Sequence, residues 1–262
     1  MNEEVCMKKL SLLVLVLVFT SIAVVLYGQF TTVEPPKTYG NPDLRNIKIG
    51  YVIPELCDGG GKYNDAWSST FLKAEGKPPV KPEPTGDEDA DMQAEYEYAW
   101  ALANWASMYS AQSLRDNNPE TCWVEGVKGT GIGEVVIAPI PGLKNIGIRN
   151  GFQKNADLYN KNARPKKIKV WLLAAERKNL GEAFDFFINV KTYAVRETEL
   201  KDAMGWQELP LPVAPANVPK TQVSGMNAQD LTVQWFVAIQ IVSVYPGSKW
   251  EDCCISDIGE MK

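Results

Sequence analysis

The chain after Ser110 is a series of short, β-rich runs separated by Gly, Pro or Asn turns. Apolar residues alternate within these runs: Ile168, Val170 and Leu172 fall on one face of a strand, and every second residue from Leu231 to Ile241 is apolar. Several strands at this spacing, with little helix between them, predict an antiparallel β-sandwich or jelly roll. The runs are GEVVIAPI, KNIGIRNG, KKIKVWLL, AFDFFINV, KTYAVRE, WQELPLP and LTVQWFVAIQIVSVYP.

The beginning of the chain has the pattern of an export signal. Lys8 and Lys9 precede an apolar run from Leu10 to Tyr27, which is the order of a signal peptide. The run is also just long enough to span a bilayer, so residues 1–28 are predicted to be a signal peptide or, alternatively, a membrane anchor. We therefore expect a secreted, periplasmic or cell-surface protein that contacts a membrane only through an uncleaved N-terminal segment.

Composition excludes several classes of function. The formal net charge of −5 gives no general attraction to nucleic acid, so no nucleic-acid partner is expected. The chain contains no histidine, which removes His-ligated metal sites and every catalytic triad that uses His as the base. The composition argues against an enzyme.

Two segments precede the β-rich part. Residues 29–72 contain one short alternating run, NIKIGYVI, and a glycine loop, and their role stays open. Residues 73–95 gather prolines and acids and are predicted to be a solvated linker. The acidic run resembles the start of a calcium-binding loop, but Met92 and Tyr98 replace the Gly and Glu that an EF-hand requires. A short helix is expected to begin near Met92.

The stretch TCWVEGVKGTGIGE admits three interpretations. A dinucleotide-binding loop requires a third glycine where this chain has Glu134, and no helix follows to meet a phosphate. Gly129 and Gly131 therefore predict a tight turn before a strand. Glu125 and Glu134 are the residue types of a glycosidase pair, but the favoured interpretation is that one or both brace the loop through backbone N–H groups.

Several segments in order carry a resemblance to a known family. YSAQSLRDNNPETCWVEGVKGTGIGE, IRNGFQKNADLYNKNARPKKIKV, LKDAMGWQELPLP and IQIVSVYPGSKWEDCCISDI resemble the NADase-type glycan-binding domain, a discoidin-like, coagulation-factor type C family. The resemblance covers about residues 100–260. It implies an all-β, galactose-binding-like jelly-roll β-sandwich at residues 96–262, preceded by an irregular N-terminal extension.

The same resemblance implies an exported, non-catalytic module that binds a cell-surface or extracellular glycan. Two alternatives stay open. A surface adhesin or structural protein would use the same loops on a protein partner, and a hydrolase would use Glu125 and Glu134.

Loop residues of a jelly roll are the expected place for a glycan. Sugars bind through aromatic faces with planar polar side chains around the hydroxyls. Tyr159 and Trp250 sit among polar and turn residues and are expected to be exposed. Arg164, beside Asn162, is expected to contact an acidic sugar or another anion. The predicted glycan-binding residues are Asn150, Phe152, Gln153, Lys154, Tyr159, Asn162, Arg164, Lys249 and Trp250.

The resemblance also implies a structural cation between an Asp turn and a carboxylate near the C-terminus. Hard oxygen ligands suit Ca²⁺. The chain has one carboxylate fewer in this turn than the family pattern and a shorter one at the end, and the alternative is an Asx-turn without metal. The matching positions are Asp116, Asn118, Thr121 and Asp257.

A disulfide is implied by the same comparison of positions. Export makes disulfides possible. Cys254 stands where the family pattern commonly has cysteine, while Cys122 and Cys253 are additional. The segments that hold these two should lie close together in the family fold, so a Cys122–Cys253 bridge is predicted.

Overall fold

The computed structural model describes residues 40–58, 68–180, 185–225 and 230–261. Most elements in these ranges are strands, as the β-rich runs predict. The α-helices are α1 (Glu88–Ala106) and α2 (Ala156–Lys161), and 3-10 helices span Pro42–Asn46 and Ala111–Arg115. The strands are β1 (Val52–Asp58), β2 (Trp123–Val124), β3 (Val135–Ile140), β4 (Ile146–Asn150), β5 (Arg164–Ala174), β6 (Arg177–Leu180), β7 (Asp185–Glu199), β8 (Trp206–Glu208), β9 (Thr221–Ser224), β10 (Asp230–Thr232), β11 (Trp235–Tyr245) and β12 (Cys254–Glu260).

Within the described residues these strands form two sheets. The larger sheet has the order β10-β9-β6-β7-β5-β11-β3, and β1 also pairs with β7. The smaller sheet has the order β2-β12-β4-β8. All the pairings between strands are antiparallel except β6 with β9. The predicted all-β sandwich is therefore confirmed.

The hydrophobic core lies between the two sheets. Val170 and Phe236 come from the larger sheet, Trp123 and Ile148 come from the smaller one, and all four belong to one buried cluster. The alternation in KKIKVWLL buries Ile168, Val170 and Leu172 as expected. The core thus forms because each strand presents an apolar face to the opposite sheet.

The segment before residue 77 completes this sandwich. Strand β1 adds to the larger sheet through β7, with Ile53 opposite Val190 and Leu56 opposite Phe187. Leu44 and Phe71 are fully buried in the same core. The sequence left the role of residues 29–72 open, and the described part of that segment is an integral part of the fold.

A separate compact unit contains α1. The described residues of this unit are 77–105, and those of 36–76 and 106–262 belong to the other. Helix α1 begins at Glu88 because the Asp87 carboxylate caps it, accepting the N–H groups of Asp89 and Ala90 at 3.1 Å each. It is longer than the short helix expected, and it starts inside the range predicted to be a linker. Met92, Tyr96 and Trp100 form an exposed stripe along it.

The α-helices of the described residues do not have the length and composition of a membrane span. Neither is both long and apolar enough to cross a bilayer. The predicted signal peptide or anchor at residues 1–28 lies outside the described residues.

Candidate functional site

A pocket of about 160 Å³ opens between the turn after β4, the end of α2 and the segment before β12. Three of the predicted glycan-binding residues meet there: Phe152, Asn162 and Trp250. They come from three separate stretches of the chain, so the fold brings them together. The other residues that line the pocket are Leu72, Glu75, Tyr109, Val124, Leu158, Asp252 and Cys254.

Backbone hydrogen bonds hold the walls of this pocket in place. The N–H of Trp250 donates to the carbonyl of Lys161 at 2.9 Å, and the N–H of Ala163 donates to the carbonyl of Asp252 at 3.0 Å. Asn162 is fixed by its own cap, because its amide Nδ2 donates to the carbonyl of Leu158 at 2.9 Å. The segment before β12 therefore lies along the end of α2.

Glycine permits the turn that places Phe152. Gly151 has a φ of +80°, and a Cβ added there would lie 2.9 Å from Cε2 of Tyr159. Its N–H donates to the carbonyl of Cys254 at 3.1 Å. The chain can thus leave β4, stay attached to β12 and present Phe152 to the pocket only with glycine at this position.

Sequence reasoning missed Tyr109, Glu75 and Asp252 as lining residues. Burial, and then the charge of Glu75, raises the pKa of Tyr109. Burial, and then the neighbouring Glu251, raises the pKa of Asp252. Tyr109 and Asp252 lie inside the family motifs, whereas Glu75 comes from a segment that had no counterpart there. The pocket combines three aromatic rings, one amide and two carboxyl groups.

Arg164 is buried and forms an ion pair within the protein. Its Nε binds Oδ1 of Asp202 at 2.5 Å and its Nη2 binds Oδ2 at 2.7 Å, which is a bidentate ion pair. Its Nη1 donates to the carbonyl of Asn162 at 3.2 Å, and the side chain is buried. The structure therefore corrects the expectation that this guanidinium contacts an anionic ligand, because Asp202 already supplies the anion.

Tyr159 belongs to the same buried cluster. Its ring lies 4.6 Å from the Arg164 guanidinium, and its hydroxyl donates to Oδ1 of Asp202 at 2.9 Å. Burial and this hydrogen bond raise the pKa of Tyr159 to about 12. The expectation that Tyr159 is exposed is wrong, because the side chains of Arg164 and Asp202 pack against it.

Asn150 and Gln153 are buried braces of the turn after β4. Asn150 donates from Nδ2 to the carbonyl of Pro165 at 2.8 Å. Gln153 donates from Nε2 to the carbonyl of Asn150 at 2.8 Å and accepts the N–H of Gly205 at the same distance. Their amide groups satisfy backbone partners in the interior, so these residues hold the turn without lining the pocket.

The two predicted lysines are exposed. Lys154 lies 3.6 Å from a carboxylate oxygen of Glu120. Lys249 Nζ lies 4.4 Å from the ring centre of Trp250, which is a cation–π contact beside the pocket. Of the two, Lys249 is therefore the one placed next to the pocket.

The Asp turn and the C-terminal carboxylate do come together, as the resemblance implies. Asp116 accepts the N–H of Asn118 at 2.9 Å and the hydroxyl of Thr121 at 2.6 Å, which is an Asx-turn. Arg149 donates from Nη1 to Oδ2 of Asp257 at 3.0 Å. Burial, opposed by Arg149, raises the pKa of Asp257 to about 6.

This arrangement does not fit calcium. Ca²⁺ takes about six to eight oxygen ligands. Both oxygens of Asp116 are used within its turn, a guanidinium stands beside Asp257, and the orphaned oxygen of the two carboxylates is Oδ1 of Asp257. Among the described residues, no group of three or more His, Cys, Asp and Glu side chains is placed to hold a metal ion. The Arg149 guanidinium, 3.0 Å from Oδ2 of Asp257, already supplies a positive charge to that carboxylate.

The structure contradicts the predicted Cys122–Cys253 disulfide. Cys122, Cys253 and Cys254 are free and buried. Cys254 pairs with Val124 across β12 and β2, and it clusters with Val124 and Cys122 on one face of that sheet, whereas Cys253 belongs to the main core. A hydrogen bond between the thiols of Cys254 and Cys122, together with burial, raises the pKa of Cys254. Cys122 therefore faces Cys254, because neighbouring residues of a strand point to opposite faces.

Glu125 and Glu134 do not form a hydrolytic pair at this pocket. Neither is among its described lining residues. Glu134 accepts the hydroxyl of Ser69 at 2.6 Å and is paired with Arg45 at 2.5 Å. Glu125 accepts the N–H of Val127 at 2.8 Å, which is the bracing role that the sequence favoured. The two carboxyl groups are part of the structure around the glycine turn.

Comparison with known proteins agrees with this architecture. The family model described as NAD glycohydrolase translocation F5/8 type C domain matches residues 89–260. No curated protein matches the chain. The family match spans most of the described sandwich and all of its pocket except Leu72 and Glu75.

Proposed function

The chain belongs to the family of NAD glycohydrolase translocation F5/8 type C domains, and from that premise we propose that it is a non-catalytic glycan-binding module. The observation that carries the proposal is the convergence of Phe152, Asn162 and Trp250 with Tyr109 at one pocket. Aromatic faces and a planar amide are the groups with which proteins bind sugar rings. The pocket therefore has the chemistry that the family resemblance implies.

The size of the pocket supports binding of a terminal sugar. Its volume of about 160 Å³ lies below the roughly 300–1,000 Å³ of sites that enclose drug-sized ligands. An extended oligosaccharide would exceed it, whereas one terminal residue of a glycan chain matches its scale. The proposed ligand is therefore the exposed end of a cell-surface or extracellular glycan.

Export is part of the same proposal. The lysines and apolar run of residues 1–28 have the order of a signal peptide. A module of this kind meets its glycan outside the cytoplasm, in the periplasm, at the cell surface or in the medium. Sequencing of the mature N-terminus after expression would show whether the segment is removed.

A glycan array tests the proposal directly. The full chain, kept in a detergent without a sugar headgroup, should bind a coherent set of glycans that share a terminal residue. Trp250→Ala should reduce binding at least tenfold, because the ring lines the pocket. Trp100→Ala is the matched control: this tryptophan is exposed on α1, in the other compact unit, and its loss should leave binding unchanged.

A blank array from folded protein would overturn the proposal. In that case binding of intact and deglycosylated extracellular proteins would be compared, since an adhesin for a protein partner binds both equally. Equal binding that is lost in Trp250→Ala would assign the pocket to a protein ligand.

A further inference from the structure

The charged groups that line the pocket are acidic. Glu75 and Asp252 both contribute to the lining, and none of the described lining residues is Lys or Arg. Glu251 adds another negative charge next to Asp252 and acts on its titration. A ligand that enters this pocket therefore meets the Asp252 carboxylate, which attracts a cation and repels an anion at short range.

Aromatic rings reinforce the preference for a cation. Tyr109, Phe152 and Trp250 surround the same space, and the face of an aromatic ring attracts ammonium groups. The chain itself provides an example, because the Lys249 ammonium lies 4.4 Å from the ring centre of Trp250. Tryptophan is the strongest of the aromatic partners for such a contact.

The positive charge that favoured an acidic sugar is not available at the pocket. Both carboxylate oxygens of Asp202 bind Arg164, at 2.5 and 2.7 Å. The guanidinium is buried and paired, so it adds no free cation to the lining. The sequence-based preference for an anionic ligand loses its physical basis.

We propose that the pocket selects a terminal amino sugar with a free ammonium group over its N-acetylated form and over acidic sugars. This inference rests on the proposed glycan-binding function. The ammonium group would be held by the carboxylate of Asp252 and by the surrounding ring faces, while Asn162 contacts the sugar hydroxyls. N-acetylation removes the charge and adds bulk, so it weakens both interactions.

One array, measured before and after chemical N-acetylation with acetic anhydride, tests the preference. The full chain should bind glycans that end in glucosamine or galactosamine, and the treatment should lower that binding at least tenfold. Spots that end in uronic or sialic acid should stay blank. Binding that survives acetylation unchanged, or binding to acidic sugars, would overturn the inference and leave glycan binding in place.

A substitution of the lining carboxylate, compared with a substitution of an exposed one, sharpens the test. Asp252→Asn should lower binding of the amino sugar at least fivefold and narrow the difference from the N-acetylated form. Glu120→Gln is the matched control, since Glu120 is exposed and does not line the pocket; its effect should stay within twofold. An Asp252→Asn protein that keeps the full preference would contradict the assignment.

Lys249→Met distinguishes a cationic ligand of the pocket from an anionic one. If the ligand is cationic, removal of the lysine frees the Trp250 ring and removes repulsion, so amino-sugar binding should rise about twofold or more. If the lysine instead holds an acidic sugar, binding of that acidic sugar should fall. An array blank in every arm, with all proteins folded, would reject the underlying glycan-binding function rather than this preference alone.

Discussion

Glu125 and Glu134 stand at the two ends of one glycine turn, and both are buried, yet their surroundings differ. Glu134 accepts hydrogen bonds from the hydroxyls of Ser69 and Thr70 and pairs with Arg45. Glu125 has a backbone N–H partner at Oε2, while its Oε1 has no hydrogen-bond partner in the described part of the chain. One carboxylate is compensated by a cation and two hydroxyls, and the other is not.

The difference shows that burial alone does not define the role of a carboxyl group. Loss of solvent raises the pKa of Glu125 to about 7, with smaller contributions from the negative charges of Asp252 and Glu134. A buried carboxyl with a pKa near neutrality is a common sign of an active site. Here it lies under a glycine turn and outside the described lining of the pocket.

Removal of the compensated carboxylate should have the largest effect on stability. Glu134→Ala leaves the hydroxyls of Ser69 and Thr70 and the Arg45 guanidinium without their acceptor, so the free energy of unfolding should fall by about 3 kcal/mol. Urea denaturation followed by circular dichroism measures this loss. The segment around Ser69 should also become the most sensitive to proteolysis, because Glu134 attaches it to β3.

Glu120→Ala provides the control for this prediction. Glu120 is an exposed carboxylate of the preceding turn, so its removal should change stability by less than about 0.5 kcal/mol. A Glu134→Ala protein as stable as the Glu120→Ala protein would show that the three partners of Glu134 contribute nothing to stability. The contrast between Glu134 and Glu125 would then have no energetic basis.

The glycine turn should show the next largest effect. A Cβ at Gly131 would lie 2.4 Å from Cγ of Glu125, and its φ is +66°. Gly131→Ala should therefore destabilise the fold by about 2–3 kcal/mol, through backbone strain and displacement of the buried side chain. Gly129→Ala, with a φ of +103° and open space around it, isolates the strain alone.

A double-mutant cycle measures how much of the Gly131→Ala destabilisation comes from contact with the Glu125 side chain. In a Glu125→Ala background the steric part of the Gly131→Ala cost should disappear, which gives a coupling of about 1 kcal/mol. If the two substitutions add without coupling, Gly131 does not pack on the carboxyl group and the turn is shaped by backbone conformation only.

The glycine turn, the strands and the core could be predicted from the sequence because their signals are local. Alternating apolar residues predicted the strands, and positive-φ positions at Gly129 and Gly131 followed from glycine itself. The AFDFFINV and KTYAVRE runs, expected as separate strands, are one continuous strand β7. Asn189 within it adopts a φ of +51° and is accommodated inside the strand.

Contacts between residues that are distant along the chain could not be predicted from the sequence. Nothing in the sequence near Glu134 indicates Arg45 or Ser69, and nothing near Arg164 indicates Asp202. A guanidinium among polar residues reads equally as an exposed binding group or as half of a buried ion pair. The faces of Cys122 and Cys253 depend on the register of β2 with β12, which only the folded sheet defines.

The uncompensated carboxyl should show the smallest effect and a distinctive pH dependence. Its pKa is raised from 4.5 to about 7 in the folded chain, so between these values the folded protein holds a proton that the unfolded chain releases. Stability from this group is therefore present below pH 4.5 and falls as pH rises toward 7. Glu125→Gln removes the charge, so the variant should gain about 1–2 kcal/mol over the natural protein at pH 8, after allowance for solvent screening, and nothing at pH 4.5. Urea denaturation across this pH range measures the difference, with Glu120→Gln as the control that should stay level. A Glu125→Gln difference that is constant from pH 4.5 to 8 would mean that the carboxyl keeps an ordinary pKa, and the contrast between the two glutamates would then rest on hydrogen bonds alone.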